Sequence, residues 1–301
     1  MAFEAKWIKS GLGTGGGSGG TGGADGAAGG DGSGGGFGCL GGSGSGGGAC
    51  PVFAKVFRLG GELRKAVLLI TATGAYEAAI NGRRVGEYIF APGWTVYEKR
   101  LQYQTYDVAE LLDGRGENEI EVVVGDLWYR FPRADWIDKS RGEGAPQSAP
   151  AGILARLELQ YADGSREAIV SDGSWISREG PVRFSQLYDG ESYDATFAGG
   201  PEAGAVEFEP PGFALVPQQG EIVKEHERLR PVAIFRTPAG ETVVDFGQNL
   251  TGYTEFTLSA KAGDRVSISH AEILGKDGNF YTDNYRGAKA KLEYICRDGL
   301  Q

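Results

Sequence analysis

Tyr76-Glu77-Ala78-Ala79-Ile80-Asn81-Gly82-Arg83-Arg84-Val85-Gly86, then Ala91-Pro92-Gly93-Trp94, then Gln102-Tyr103-Gln104-Thr105-Tyr106-Asp107, and then Gly125-Asp126-Leu127-Trp128-Tyr129 together mark this chain as antiparallel β structure with a rim of loops. Asn81-Gly82 sits between two short extended segments. A two-residue hairpin turn needs positive φ at both central positions, which Asn and Gly tolerate best. Ala91-Pro92-Gly93 has the form of a type II turn, with Pro setting the first φ and Gly supplying the second. In the strand that follows, Leu101, Tyr103 and Thr105 face one way and Gln102, Gln104 and Tyr106 the other. Asp107 and Glu110 have capping-box spacing for one helical turn through Leu111 and Leu112. Beyond Asp113-Gly114-Arg115-Gly116, the run Ile120, Val122, Val124 alternates with Glu119, Glu121 and Val123, a strand with one buried face.

Outward from this centre the pattern continues. Trp7-Ile8 reads as a short strand within residues 1–10. It is cut off by residues 11–49, where 23 of 39 residues are glycine. Such a tract loses too much backbone entropy and buries too little apolar surface to fold alone, so it is expected to be a flexible linker or insertion. Strands are expected again at Val52-Phe53 and Val56-Phe57, and the continuous apolar run Ala66–Ile70 reads as a strand buried on both faces. Phe131 to Ala149 is polar around an isolated Trp136 and reads as a long loop. Ile153, Ala155, Leu157, Leu159 and Tyr161 form one strand face before an Asp163-Gly164 hairpin. Residues 201–221 are rich in Pro, Gly and Ala and read as a linker. A second β block, residues 222–301, contains the Pro238-Ala239-Gly240 turn and a strand face of Val266, Ile268 and His270.

Composition excludes several classes. With 30 Lys+Arg against 40 Asp+Glu the net charge is -10, which repels phosphate backbones and argues against nucleic acid. No segment approaches the roughly 20 apolar residues of a membrane-spanning helix, and Met1-Ala2-Phe3-Glu4-Ala5-Lys6 has no apolar leader, so a soluble cytoplasmic chain is expected. Cys39, Cys50 and Cys296 are odd in number and without metal-ligand spacing, and read as isolated thiols. Two histidines, His226 and His270, are too few for a zinc site built on several imidazoles.

As an ordered set, the hairpin Asn81-Gly82-Arg83-Arg84-Val85-Gly86, the turn Ala91-Pro92-Gly93-Trp94, the strand Tyr103-Gln104-Thr105-Tyr106-Asp107-Val108 and Gly125-Asp126-Leu127-Trp128-Tyr129 resemble the accessory β-sandwich that precedes the catalytic barrel of bacterial α-L-rhamnosidases, a family of inverting glycoside hydrolases. A second ordered match runs through Val243–Tyr253, His270-Ala271-Glu272, Asp277-Gly278-Asn279, Tyr281-Thr282 and Arg286–Ala290. The resemblance implies an all-β chain of two antiparallel, jelly-roll-like sandwiches, residues 50–200 and 222–301, the second incomplete at its C-terminal end. It also implies a partner (α/α) barrel that holds the catalytic acids. No long amphipathic helical period occurs here, so no catalytic residue is assigned.

Inverting hydrolysis needs two carboxyl groups about 6.5 to 9.5 Å apart. Asp189, Glu191, Asp194, Asp245 and Glu272 are acids in suggestive surroundings, but sequence spacing does not bring any two together. Carbohydrate binding is the better fit. Aromatic faces stack on the C–H face of a sugar ring while Asp and Asn address its hydroxyls. The candidates are Asn81, Trp94, Asp126, Trp128 and Tyr129, with Trp136 nearby in sequence and a rhamnose-containing glycan as ligand. Some relatives bridge rhamnose through calcium held by an acidic residue next to this Asn. Here Ile80 stands in that position, which removes a hard oxygen ligand, so no cofactor is expected. Three readings stay open at this stage: a non-catalytic part of a rhamnosidase, a stand-alone lectin-like module, and a structural interaction domain. For Asn81 a turn-forming role competes with sugar contact, as core packing does for Trp128 and Tyr129, and His270 reads first as a hydrogen-bonded strand histidine.

Overall fold

The computed structural model describes residues 3–12, 48–129, 150–210 and 212–301. Cys39, Trp136 and most of the glycine tract lie outside the described residues. The first part of the chain forms β1 (Ile8–Lys9), β2 (Pro51–Arg58), β3 (Leu63–Ala72), β4 (Ala75–Ile80), β5 (Arg83–Arg84), β6 (Arg100–Asp107) and β7 (Glu117–Gly125). It continues with β8 (Gly152–Tyr161), β9 (Arg166–Val170), β10 (Ile176–Glu179), β11 (Val182–Gln186), β12 (Gly190–Asp194), β13 (Glu202–Gly204), β14 (Val206–Glu207) and β15 (Ala214–Pro217). The last eight strands are β16 (Ala233–Arg236), β17 (Thr242–Asp245), β18 (Ser259–Ala260), β19 (Arg265–Ser269), β20 (Ile273–Leu274), β21 (Phe280–Tyr281), β22 (Lys291–Ile295) and β23 (Gly299–Leu300). Among the described residues, none of the helical turns is long and apolar enough to cross a membrane.

Two sheets make the first sandwich. One has the order β14-β1-β8-β3-β6-β15, with β9 added to β8, and the other the order β13-β10-β2-β7-β4-β5. Their facing sides follow from period-two alternation. Ile153, Ala155, Leu157 and Leu159 of β8 and Ile120, Val122 and Val124 of β7 are all within 1% of full burial, and they meet Leu68, Ile70, Phe53 and Trp175 in one core. A smaller cluster of Trp7, Leu101 and Leu154 covers the outer side of the first sheet. The Ala66–Ile70 run therefore has one fully buried side, while Val67 and Leu69 are half-buried.

The turns show which local expectations hold. Asn81 and Gly82 have φ of 52° and 72° and join β4 to β5, and Gly164 (φ 87°) turns β8 into β9. The Pro92 turn is displaced by one residue. Gly93 donates to the Phe90 carbonyl (2.9 Å), which places Pro92 third in the turn with a cis Ala91–Pro92 bond, so the turn is not type II. The capping box is half formed: Asp107 Oδ1 accepts from the Ala109 N–H (3.1 Å) ahead of a 3₁₀ turn at Ala109–Leu111, with no side-chain cap from its N-cap residue.

Residues 201–221 are not a free connection. They carry β13, β14 and β15, paired with β10, β1 and β6, and β15 runs parallel to β6. Strands of two to four residues are too short for alternation to register in sequence, and Pro217 is tolerated because β15 is an edge. The second β block is joined to the first through a shared sheet, β11-β12-β22-β19, in which Gly190–Asp194 pairs in parallel with Lys291–Ile295. Tyr193 and Tyr294 stack across that join with ring centroids 5.4 Å apart. Elsewhere in residues 222–301 only two-stranded ribbons form, and Val232 and Ile234 are each 68% exposed.

The contrast between the blocks is measurable. Ile120→Ala is expected to cost about 2–5 kcal/mol through the cavity it leaves, whereas Ile234→Ala, on an open face, is expected to stay within about 0.5 kcal/mol. The urea midpoints of the two variants check this, and equal losses would overturn the assignment of the core to the first sandwich.

Candidate functional site

Four of the five sequence-selected residues lie at one end of β7. Gly125 ends the strand opposite Ala75, the first residue of β4, and the next four residues turn over the sheet with Leu127 at φ 42°. Trp128 stacks on Trp94 with centroids 5.7 Å apart and planes 17° from parallel, and Phe90 meets Trp128 edge-on at 5.8 Å. Trp94 is 69% exposed, so its outer face is open to solvent. Tyr129 is buried beneath the platform and packs edge-on against Tyr97 at 4.9 Å. Asp126 sits at the base of the same turn, its N–H donating to the Ser185 carbonyl (3.2 Å).

The loop that carries Trp94 is fixed from below. Tyr76 N–H donates to the Ala91 carbonyl (2.9 Å), and the Gln102 and Gln104 amides both donate to the Pro92 carbonyl (3.4 and 3.3 Å). Tyr97 Oη donates to the Gly93 carbonyl (3.1 Å). Gly93 has φ 89°, and a Cβ there would collide with the Tyr88 hydroxyl, so both conformation and space demand glycine. Phe90 and Tyr97 were not singled out from sequence. The available signal was four aromatic residues, Tyr88, Phe90, Trp94 and Tyr97, within ten positions.

Asn81 lies elsewhere. Five strand steps of about 3.3 Å separate the Ala75 end of β4 from Ile80, roughly 17 Å. The Asn81 amide is engaged within the fold: it donates to the Leu111 carbonyl (2.9 Å) and to Asn118 Oδ1 (2.8 Å), and its oxygen accepts the Glu119 N–H (3.0 Å). Ile80 is fully buried in the core. A calcium ion held by this position and Asn81 therefore does not fit, because the first side chain is apolar and inward and the second already has three partners.

The remaining acids are engaged by local partners, Asp189 by Lys289 at 3.7 Å among them. Asp194 and Asp245 accept from the N–H groups of Thr196 and Gly247, and Glu272 accepts from Asn284. Burial pushes the Glu191 carboxyl above its usual range, opposed by a hydrogen bond from Ser185 and assisted by the charge of Glu77. His270 has Nδ1 2.9 Å from the Ala290 carbonyl, a hydrogen-bonded position next to β19. A shallow groove of about 400 Å³ lies on the outer side of the second sheet, floored by Ala79 and Val123 and walled by Phe197. The charges along it are paired, Arg84 with Glu77 at 3.3 Å and Arg178 with Glu121. None of the five selected residues lines it.

Residues 61–209 match the family model described as the alpha-L-rhamnosidase N-terminal domain, and residues 235–300 match that of the bacterial alpha-L-rhamnosidase concanavalin-like domain. The chain belongs to the bacterial α-L-rhamnosidase family. An alpha-L-rhamnosidase of Formosa agariphila is 34% identical over 80% of this chain, and one of Streptomyces avermitilis 35% over 78%. Those alignments cover 27% and 23% of the relatives, so the chain spans about a quarter of the length of the curated rhamnosidases it matches. Among solved structures, the rhamnosidase from Aspergillus terreus superposes with a TM-score of 0.76 at 29% identity, covering 99% of this chain and 32% of that one. The Streptomyces avermitilis rhamnosidase complexed with L-rhamnose gives 0.72 at 34% identity, over 83% and 25%. The rhamnosidase N-terminal domain is thus the part that bears the Trp94–Trp128 platform.

Burial, with the charge of Glu98 adding, pushes the Tyr129 phenol up to about 12, and burial pushes that of Tyr97 up as well. In the unfolded chain both ionise near pH 10. The native state favours the protonated phenols, so this contribution to stability is complete below about pH 10 and is lost as pH rises towards 12. An ultraviolet difference titration of phenolate is expected to show a late-ionising class that Tyr129→Phe reduces by one group. A loss near pH 10 instead would place Tyr129 in solvent.

Proposed function

We propose that the two β units are non-catalytic accessory domains of an α-L-rhamnosidase. They hold a rhamnose-containing glycan on the Trp94–Trp128 platform and brace the (α/α) barrel to which the family resemblance assigns cleavage. The observation that carries the reading is the open outer face of Trp94, backed by Trp128 in a near-parallel stack. A pyranose lays its C–H face on such a surface, and polar groups at the rim address its hydroxyls. Asp126 is the proposed acceptor, while Tyr129 supports the platform from beneath. Asn81 forms the hairpin and is left out of the grip, since its amide is committed to the turn.

Support for a bracing role comes from the second unit. Val232, Ile234, Tyr253, Ile273 and Leu300 are each more than half exposed. Of these, Val232 and Ile234 lie together with Pro231 and Ala233 along one open surface, the kind of exposed apolar stretch that a neighbouring domain can cover. A free-standing lectin-like module gains nothing from leaving them in water. Supporting the family assignment of activity, the relatives are named as rhamnosidases, and one of them was solved with L-rhamnose.

Two measurements test the reading. Incubation of the chain with an aryl α-L-rhamnoside is expected to release no aryl group, and turnover would place catalytic acids within these residues. Calorimetric titration with L-rhamnose, run with and without calcium, is expected to give binding that Trp94→Ala weakens about tenfold. Equal affinity for the variant, or no heat at millimolar sugar, would remove the platform from the function.

A further inference from the structure

The N-terminal segment is held as a ligand is held. β1 lies between β8 and β14, with Ile8 opposite both Ile153 and Glu207 and Lys9 opposite Gly152 and Val206. On either side the backbone bonds continue, Lys6 N–H to the Ser171 carbonyl (2.8 Å) and Phe208 N–H to the Trp7 carbonyl (2.9 Å). Alternate side chains enter opposite layers. Ile8 is fully buried in the sandwich core, and Trp7 fits between Phe208 and Phe213 at 5.9 and 5.8 Å over Leu101 and Leu154. The ends are read as well: Arg156 donates to the Phe3 carbonyl (3.2 Å), and Gly11 donates to Ser177 Oγ (3.1 Å). A Cβ at Gly11 would collide with the Gly204 carbonyl, so the segment leaves the sandwich pressed against β13.

This is the geometry of strand addition, in which main-chain bonds give affinity and pockets for alternate side chains give specificity. What joins the segment to β2 is the glycine-rich tract, 23 glycines in 39 residues, whose composition offers neither register nor an apolar face. Recognition is therefore written in residues 3–11 themselves, and the tract contributes local concentration. We propose that the channel between β8 and β14 is a strand-acceptor site, that residues 3–11 occupy it as a separable peptide ligand, and that the same segment from a second copy of this chain is the partner it fits. Scission of the tract then leaves the sandwich intact, with its first strand exchangeable.

The test uses the full chain with a protease recognition sequence placed in the tract. After cleavage, the N-terminal piece is expected to co-elute with the remainder on gel filtration, and an excess of labelled peptide spanning residues 1–12, standing for the segment of a second copy, is expected to replace it. The same peptide carrying Trp7→Ala is expected to compete roughly a hundredfold less well, as loss of a buried Trp predicts. Separation of the piece on cleavage would overturn the proposal, as would failure of the labelled peptide to exchange. Equal competition by the Trp7→Ala peptide would show that the channel does not read this segment.

Discussion

A chain of hydrogen bonds buried at one end of the first sandwich sets the position of everything around it. Tyr76 donates to Gln104 Oε1 (2.8 Å), Gln104 donates onward to Gln218 Oε1 (2.7 Å), and Gln102 Oε1 accepts the Gln219 N–H (2.8 Å). Gln102 and Gln104 are 8% and 3% exposed. A buried amide left without partners costs about 1–3 kcal/mol, so the two glutamines are tolerable only while β4, the Pro92 loop and the chain after β15 are all in place. Burial pushes the Tyr76 phenol well above its ordinary range, with neighbouring Tyr106 adding to the shift, which keeps Tyr76 a neutral donor. The platform loop is thus tied to the core by polar groups that burial shields from water, so within the fold they have no other partner.

The same glutamines show where sequence patterning stops. Strand β6 alternates as expected, but the side holding Gln102, Gln104 and half-buried Tyr106 faces the sandwich interior, while Leu101 belongs to the outer cluster. Hydropathy alone points the other way, because it prices an amide without its partners. Where one side is plainly apolar, as in β7 and β8, alternation identified the core face residue by residue. Asn81-Gly82 was legible as a turn for a local reason, positive φ at both positions. The distance between Asn81 and Trp128 was not, since it depends on the register of β4 against β7 rather than on separation along the chain. The strands of residues 202–217 are two to four residues long, too short for alternation to mark them in sequence.

The two β blocks differ in how they satisfy their apolar residues. The first places two sheets face to face. The second adds β19 and β22 to β12 through a parallel pairing, and its ribbons β16–β17 and β20–β21 have no sheet opposite them among the described residues. The strands at Ile234 and at Val243-Val244 therefore lack a core of their own: Val244 is 45% exposed and Ile234 68%. The join at β12 and β22 carries the stacked Tyr193–Tyr294 pair, with Phe256 edge-on to Tyr294 at 5.7 Å.

The platform and the groove divide the chemistry of the first sandwich. Along the groove each guanidinium faces a carboxylate, and a neutral polyol entering it would have to break charge-assisted bonds roughly twice as strong as those it could offer. At Trp94 nothing has to be broken. The indole face is already desolvated on its inner side by Trp128, and a ligand that covers the outer side displaces only water from an apolar surface. Rigid backing matters for the same reason: a tryptophan whose orientation is set by stacking loses little entropy on binding. Stacking alone does not choose among sugars, so in the proposed role selectivity falls to polar groups around the rim, and the turn that presents Trp128 brings Asp126 to its base. In the proposed grip, the Pro92 loop, tied down by the Gln102 and Gln104 amides of β6, supplies the Trp94 face, and the four-residue turn after β7 supplies Trp128 behind it and Asp126 beside it.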